Sequence, residues 1–355
     1  MSNTHMPPFL SGLELSRRLY IEAVRPLLEE AAPGIPHSAA RLGSGSEVLG
    51  FDTTGPAAHS PDHPAAHSPD RARPLRLQLF LHRHDVPRSA GRIRHVLAEH
   101  LPDTFHGRPV RDGVEVTHTA PWFTATLGFD PAHLTPRDWL ATPTQLLAEV
   151  TAGAVFHDGL GELARARAAL RWYPHDIWLH VLACQWQRVS REEALVGRCG
   201  EVGDEIGSAV AAARLVRDLM RLCLLMDRRY PPYGKWLGTA FAHTSAGHRL
   251  APVLTAAVTA GDRHGREKHL AHAYEIVAGL HNQLGLTDRV EPTAPPHRFT
   301  RALTARITDP ALKRLQLVGS VDQFVDNAEV LTRPDLARAV YAAAMSARRP
   351  ATPSS

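Results

Sequence analysis

Strand-like alternation and helical periodicity occupy different parts of this chain of 355 residues, and this division constrains its fold more than any other feature. Residues 75–81 read LRLQLFL and alternate as a half-buried β-strand does, and residues 114–117 (VEVT) give a second short strand. Helical spacing of apolar residues covers residues 11–31, and a further helix is predicted between the two strands at residues 89–99. The first part of the chain therefore predicts a mixed sheet with helices.

From Pro136 onward the sequence reads as mostly helical. The clearest helices are predicted at residues 208–229 and 267–284, where apolar residues repeat with a helical period. Together the two parts predict the α+β class. The predicted divisions are an α/β domain at residues 1–133, a helical domain at residues 134–346 and a disordered tail at residues 347–355.

Residues 54–73 form a low-complexity insert within the first part. The stretch PAAHSPD occurs at residues 56–62 and again at residues 64–70, as a local duplication would leave it. Proline, alanine, histidine, serine and aspartate offer little to bury, so we predict an exposed, mobile loop.

The composition argues against nucleic acid and membranes as partners, and it favours a cytosolic compartment. The formal net charge is +4, from 40 basic and 36 acidic residues, a balance too even to favour nucleic acid. The three cysteines form no CxxC pair, and their odd number fits a reducing cytosol. The sequence shows neither a signal peptide nor an apolar run long enough for a bilayer, so we expect a cytoplasmic protein without a membrane partner.

A small-residue turn precedes the first predicted strand and its neighbouring loop. Gly43, Ser44, Gly45 and Ser46 form this turn, and a loop containing Ser-x-Asp leads into LRLQLFL. The order resembles the nucleotidyltransferase superfamily, which has a Gly-Ser turn, carboxylates on the next strand and a further carboxylate on a later strand. Such a turn lets backbone N–H groups approach a triphosphate, and paired carboxylates hold Mg²⁺.

Segments along most of the chain resemble one nucleotidyltransferase-like domain-of-unknown-function family that is common in actinobacteria. The layout of that family is similar to the kanamycin nucleotidyltransferases, with an α/β head followed by a helical domain, which is an analogy at the level of fold. The segments that carry the resemblance are FLSGLELSRRLY, GSGSEVLGFD, RLQLFL, EVTAGAVFHDGLGEL, GRCGEVGDEIGS, AARLVRDLMRLC, PPYGKWLGTAF and GSVDQF.

The chain departs from this family in the carboxylate loop. The family pattern is Ser-x-Asp-His-Asp followed by Trp-Gly-Pro, whereas residues 60–64 read SPDHP and residues 68–72 read SPDRA. The second aspartate is missing from both copies, and neither Pro64 nor Ala72 has a side chain that could replace it. We therefore expect Mg²⁺ binding to be weakened or lost.

Candidate ligands of the metal and of the phosphates follow from the resemblance and from residue type. Asp70 and Glu115 are the candidate metal ligands; the alternatives are a solvated loop carboxylate and an outward-facing strand residue. Arg217 and Lys235 join the turn at residues 43–46 as candidate nucleotide-binding residues. The alternatives are pairing of Arg217 with acidic neighbours and an ordinary surface position for Lys235.

Glu205 is the candidate catalytic residue, as a general base that deprotonates an acceptor hydroxyl. It lies just before the long helix, where its charge could instead complement the helix dipole. The resulting hypothesis is an enzyme that transfers a nucleoside monophosphate from a nucleoside triphosphate to a small-molecule hydroxyl with Mg²⁺. The rival is a degenerate member that binds a nucleotide or a protein partner without transfer, and a toxin–antitoxin-type module is a third possibility.

Overall fold

The computed structural model describes residues 11–43 and 74–346, and the elements named below lie in these ranges. The strands are β1 His37–Arg41, β2 Leu77–Leu81, β3 Thr104–Phe105, β4 Arg108–Pro109, β5 Val114–Thr117 and β6 Ala154–Asp158. The helices are α1 Gly12–Leu19, α2 Arg25–Ala31, α3 Val86–His100, α4 Thr119–Leu127, α5 Pro136–Ala141, α6 Thr144–Thr151, α7 Glu162–Leu170, α8 His175–Glu192, α9 Leu195–Glu201, α10 Glu205–Met226, α11 Gly234–Ala242, α12 Gly247–Thr259, α13 Arg263–Gln283, α14 His297–Arg306, α15 Pro310–Lys313, α16 Ala328–Leu331 and α17 Pro334–Ser346.

The chain divides into two compact units. The described residues of the first unit, here called the sheet unit, are 11–43, 74–133 and 149–171. Those of the second, here called the helical unit, are 134–148 and 172–346. The predicted mobile loop at residues 54–73 and the predicted tail at residues 347–355 lie outside the described residues.

The sheet unit is built on a mixed four-stranded sheet with the order β5-β2-β1-β6. Strand β1 runs antiparallel to both of its neighbours, and β2 runs parallel to β5. A π-helical turn, Tyr20–Val24, joins α1 to α2. The two helices and α3 cover one face of the sheet, where alternate strand residues such as Leu77, Leu79 and Val116 enter an apolar core.

Strand β2 is buried on both faces, and the prediction of a half-buried strand is wrong in this respect. All five of its residues are buried, including Gln78 and Phe80 on the face away from the core helices. The side chain of Gln78 is hydrogen-bonded to the backbone of Leu42, and the ring of Phe80 packs edge-on against Trp122. The alternating pattern of β2 therefore does not mark a solvent-facing side. Its two faces are both buried, one against the apolar core and the other against Leu42 and Trp122.

The helical unit is organised around α10, which packs against α8, α9, α11, α12 and α13. Asp204 begins this helix because its carboxylate accepts a hydrogen bond from the N–H of Gly207 over 2.7 Å. Consecutive residues in its last two turns, from Arg221 to Met226, are buried, so the helix is enclosed on all sides there. A 3₁₀ turn, Val321–Gln323, closes against α8 through the side chain of Gln323.

The predicted α+β class is confirmed, with a mixed sheet in the N-terminal half and a helical C-terminal region. Two strands of that sheet, β1 and β6, were not predicted, and β6 lies beyond the boundary predicted near residue 133. Strand β6 pairs with β1 over four residue pairs, and a bulge between Ala39 and Ala40 shifts the register. In the described ranges, no helix combines the length and the apolar character needed to cross a membrane.

Candidate functional site

The predicted phosphate-binding turn starts where β1 ends. Gly43 has a φ of +86°, a left-handed conformation that favours glycine, and its N–H donates to the carbonyl oxygen of Glu149 over 3.1 Å. The preceding residue, Leu42, is fixed by Gln78, whose side chain accepts from its N–H at 2.9 Å and donates to its carbonyl oxygen at 3.3 Å. The start of the turn is therefore held against the centre of the sheet.

Glu115 lies on the same face of the sheet as Gln78. The two residues are paired in the parallel register of β2 and β5, and the side chain of Glu115 is exposed. Gly113 makes this register possible, because a Cβ at that position would lie 1.8 Å from the carbonyl oxygen of Leu75. A side chain there would force the strands apart and move Glu115 away from Gln78.

Trp122 connects the turn to the carboxylate. Its Nε1 donates to Oε2 of Glu115 over 3.2 Å, and its ring packs edge-on against Phe80 with 5.6 Å between centroids. The same ring faces the turn, since a Cβ on Gly43 would lie 3.9 Å from Cζ2 of Trp122. The structure thus brings together two residues that the sequence analysis selected, Gly43 and Glu115, around an indole that it did not select.

The donor set for a divalent cation is incomplete among the described residues. Mg²⁺ favours several oxygen ligands, and Glu115 supplies one carboxylate at this place. The residue beside it is Gln78, an amide whose oxygen is committed to Leu42. No group of three or more His, Cys, Asp or Glu side chains is placed to hold a metal ion anywhere in residues 11–43 or 74–346. The described residues therefore do not by themselves fit Mg²⁺.

Four candidate residues lie outside the described part of the chain. They are Ser44, Gly45, Ser46 and Asp70. Their assignment to phosphate and metal stays a prediction.

Glu205 is the first residue of α10, in the helical unit. Its Oε2 accepts a hydrogen bond from Nη1 of Arg266 over 2.5 Å, and the same nitrogen donates to Oγ of Ser208 over 3.1 Å. The side chain of Arg266 is only 6% exposed, so Glu205 neutralises a buried cation. This contact gives Glu205 a structural role, and its assignment as a general base stays a prediction.

Arg217 and Lys235 are also in the helical unit, at separate places. Arg217 lies twelve residues beyond Glu205 on α10, which corresponds to about 18 Å along the helix axis. It lines a cleft and donates to Oδ2 of Asp326 over 3.3 Å. Lys235 is exposed near the start of α11, and its Nζ lies 4.8 Å from the ring centroid of Trp236. Glu205 and Arg217 therefore do not share one small-molecule site on α10.

Comparison with known proteins supports a coarse family assignment for part of the chain. A family model described as "Domain of unknown function (DUF4037)" matches residues 139–237. The matched segment includes Glu205, Arg217 and Lys235, and it excludes β1, β2 and β5. The resemblance to a domain-of-unknown-function family is thus supported over this segment, and the family description assigns no activity. No curated protein and no solved structure gives a significant match to the chain.

Proposed function

We propose that the chain is a nucleotidyltransferase-like protein whose sheet unit binds a nucleoside triphosphate on the face that carries Gly43 and Glu115. The observation that supports this is the position of both residues against Trp122, at 3.9 Å from the ring for a Cβ on Gly43 and 3.2 Å from Nε1 for the carboxylate. A left-handed glycine at a strand end lets a phosphate approach the backbone closely. An exposed carboxylate beside it suits a cation that accompanies the phosphates.

Two outcomes of binding are to be distinguished. In the first, a nucleoside monophosphate is transferred to a small-molecule hydroxyl and pyrophosphate leaves, which requires carboxylates that hold Mg²⁺. In the second, the nucleotide is bound without transfer. The second is favoured by Gln78, because the place next to Glu115 on the sheet holds an amide that is bonded to Leu42.

Titration calorimetry with ATP, GTP, CTP and UTP, each with Mg²⁺ and with EDTA, tests the binding face. The informative variant is Glu115→Gln, which removes the charge and keeps an oxygen that can accept from Trp122. In EDTA we expect this variant to bind the triphosphate more tightly, because repulsion worth about 1 kcal/mol, or roughly fivefold in affinity, is removed. With Mg²⁺ we expect weaker binding, because the carboxylate that could contact a cation already held by the phosphates is lost.

The matched control is Glu30→Gln, which removes an exposed carboxylate from α2 on the helix-covered side of the sheet. Its affinities should equal those of the wild type under both conditions. The proposal fails if none of the four nucleotides binds, or if both variants behave alike. Release of pyrophosphate from the bound nucleotide in the presence of Mg²⁺ then separates transfer from binding alone.

A further inference from the structure

Three arginines converge on a cleft of 340 Å³ that lies wholly within the helical unit. Arg188 comes from α8, and Arg214 and Arg217 come from neighbouring turns of α10. The opposite wall is the segment 322–326, which follows the start of the 3₁₀ turn. Arg217, which was proposed from sequence to bind phosphate, thus lies in a cleft with two further arginines.

The arginines keep donors available after their contacts within the protein are counted. Arg217 donates through Nη1 to Asp326, which leaves Nη2 and the second hydrogen of Nη1 on a side chain that is 29% exposed. Arg188 donates through Nη1 to the carbonyl oxygen of Gln323 and through Nη2 to Asp218, and each of these nitrogens keeps a second hydrogen on a side chain that is 23% exposed. Arg214 donates through Nη2 to Glu192, which leaves two of its nitrogens for another acceptor.

The two acidic residues that line the cleft, Asp322 and Asp326, differ in how strongly they offset the positive charge of the arginines. Oδ2 of Asp322 accepts from the N–H of Thr144 at 2.9 Å, and its Oδ1 lies 3.0 Å from the hydroxyl oxygen of the same residue. Asp326 is different, because its side chain is 76% exposed and it meets Arg217 through one contact of 3.3 Å. An exposed, single-point ion pair of this kind is weak. Asp326 is therefore the carboxylate that competes with an incoming anion for Arg217.

The wall opposite the arginines is rigidly held. Gln323 donates through Nε2 to the carbonyl oxygen of Val181 and to Oε1 of Gln185, both at 2.9 Å, and its own side-chain oxygen accepts from the N–H of Ser320. Arg221, buried behind the cleft, donates to the carbonyl oxygen of Asp322. Because these contacts fix the wall in advance, a ligand entering the cleft orders few side chains.

We propose that this cleft binds the phosphoryl group of a small molecule, with Arg188, Arg214 and Arg217 as its hydrogen-bond donors. The planar guanidinium fork matches phosphate oxygens and stays charged at all physiological pH values. Several oxygens of one phosphate accept from the remaining terminal N–H groups of the three arginines. The observations that carry this proposal are separate from those for the nucleotide binding proposed for the sheet unit, because every residue named here lies in the helical unit.

The test is calorimetric titration of the full chain with inorganic phosphate and, separately, with ribose 5-phosphate, both without divalent metal. Arg217→Gln should weaken the binding of both probes by about tenfold or more, since a charge-assisted hydrogen bond is lost. Asp326→Asn should act in the opposite direction and tighten binding about threefold, because the competing carboxylate is removed. Tighter binding of the ester than of free phosphate identifies a phosphorylated small molecule as the ligand, and the reverse identifies free phosphate.

A matched pair of control variants lies elsewhere in the same unit. Arg333 and Asp335 form an exposed ion pair with 2.7 Å between Nη2 and Oδ2, and Arg333→Gln and Asp335→Asn should leave both affinities unchanged. Circular dichroism establishes that each variant is folded, and Arg217→Lys, which keeps the charge without the fork, should bind with intermediate affinity. The proposal is overturned if neither probe binds at millimolar concentration, or if Arg217→Gln and Asp326→Asn shift affinity no more than the controls do.

Discussion

Nε1 of Trp122 donates a hydrogen bond to Oε2 of Glu115 over 3.2 Å, and this contact orients the carboxylate at the edge of the sheet. Strand β5 ends at Thr117 and α4 begins at Thr119. Because this connection is short, Trp122 in the first turn of α4 lies close enough to contact Glu115 on β5. The ring also packs against Phe80 and faces Gly43. One side chain therefore determines both the direction of the carboxylate and the space beside the turn.

Trp122→Phe is expected to weaken nucleotide binding measured in the presence of Mg²⁺ while the sheet unit stays folded. Phenylalanine keeps much of the packing against Phe80 and removes the donor to Glu115, at a cost of about 1 kcal/mol in stability. Calorimetry with the nucleotide that binds the wild type measures the effect. The comparison is with Glu115→Gln, since the two changes remove the two ends of one contact. Undiminished binding by Trp122→Phe would show that orientation of the carboxylate is unimportant.

Gly43→Ala is expected to cost about 1–2 kcal/mol of unfolding free energy through backbone strain alone. Gly43 has a φ of +86°, and the added methyl group would meet Trp122 at an ordinary contact distance of 3.9 Å. Gly34→Ala is the control, because Gly34 has a φ of +72° and open space around it. Chemical denaturation should show similar destabilisation for both variants, and only Gly43→Ala should also weaken triphosphate binding. Equal affinities in the two variants would argue against a role for the turn.

Arg188→Ala is expected to destabilise the helical unit by about 3 kcal/mol, independently of any ligand. Asp218 is fully buried, and Nη2 of Arg188 lies 3.3 Å from its Oδ2. Removing the cation leaves a buried carboxylate without its charged partner, which is costly. Arg333→Ala breaks an exposed ion pair and should leave the urea midpoint unchanged. A midpoint for Arg188→Ala that equals the wild-type value would show that Asp218 is stabilised by other means.

The main strands and helices could be predicted where side chains alternate or repeat strongly. Residues 75–81 and 114–117 contain the observed β2 and β5, and the helix predicted at residues 89–99 is part of α3. Strands β1 (HSAAR) and β6 (AVFHD) were not predicted. Their small and mixed side chains carry no period of two, and their strand conformation depends on pairing with each other across more than 110 residues of sequence.

The candidate sites were predictable to the same limited extent. Gly43 and Glu115 could be selected because a turn glycine and an outward carboxylate are visible in the local sequence. Nothing local indicates that Trp122 reaches Glu115, or that Arg188 meets Gln323, which is 135 residues away. Such contacts arise from tertiary packing, which residue type and periodicity do not encode. For the same reason the buried partner of Glu205, Arg266, was missed.

Trp186 and His281 form a buried pair that makes the helical unit sensitive to acid. Nε1 of Trp186 donates to Nδ1 of His281 over 3.3 Å. Nε2 of the same imidazole lies 3.2 Å from the hydroxyl of Thr287. Nδ1 must therefore be unprotonated, and burial lowers the pKa of His281 from 6.5 to about 4. A second buried histidine, His180, has its pKa lowered to about 4 by the same cause.

Stability is therefore expected to be highest above pH 6.5 and to fall as the pH decreases toward 4. In this window the unfolded chain binds protons that the folded histidines exclude, so acid favours unfolding. A pKa lowered from 6.5 to about 4 corresponds to roughly 3 kcal/mol for His281 between pH 7 and pH 4. Urea denaturation across this range, for the wild type and for His281→Gln, should show a shallower loss in the variant, with the share of His180 remaining. His264→Gln, at an exposed position on the same helix, should follow the wild-type curve. Parallel curves for the wild type and His281→Gln would show that His281 does not gain a proton on unfolding, and the neutral buried pair would have to be abandoned.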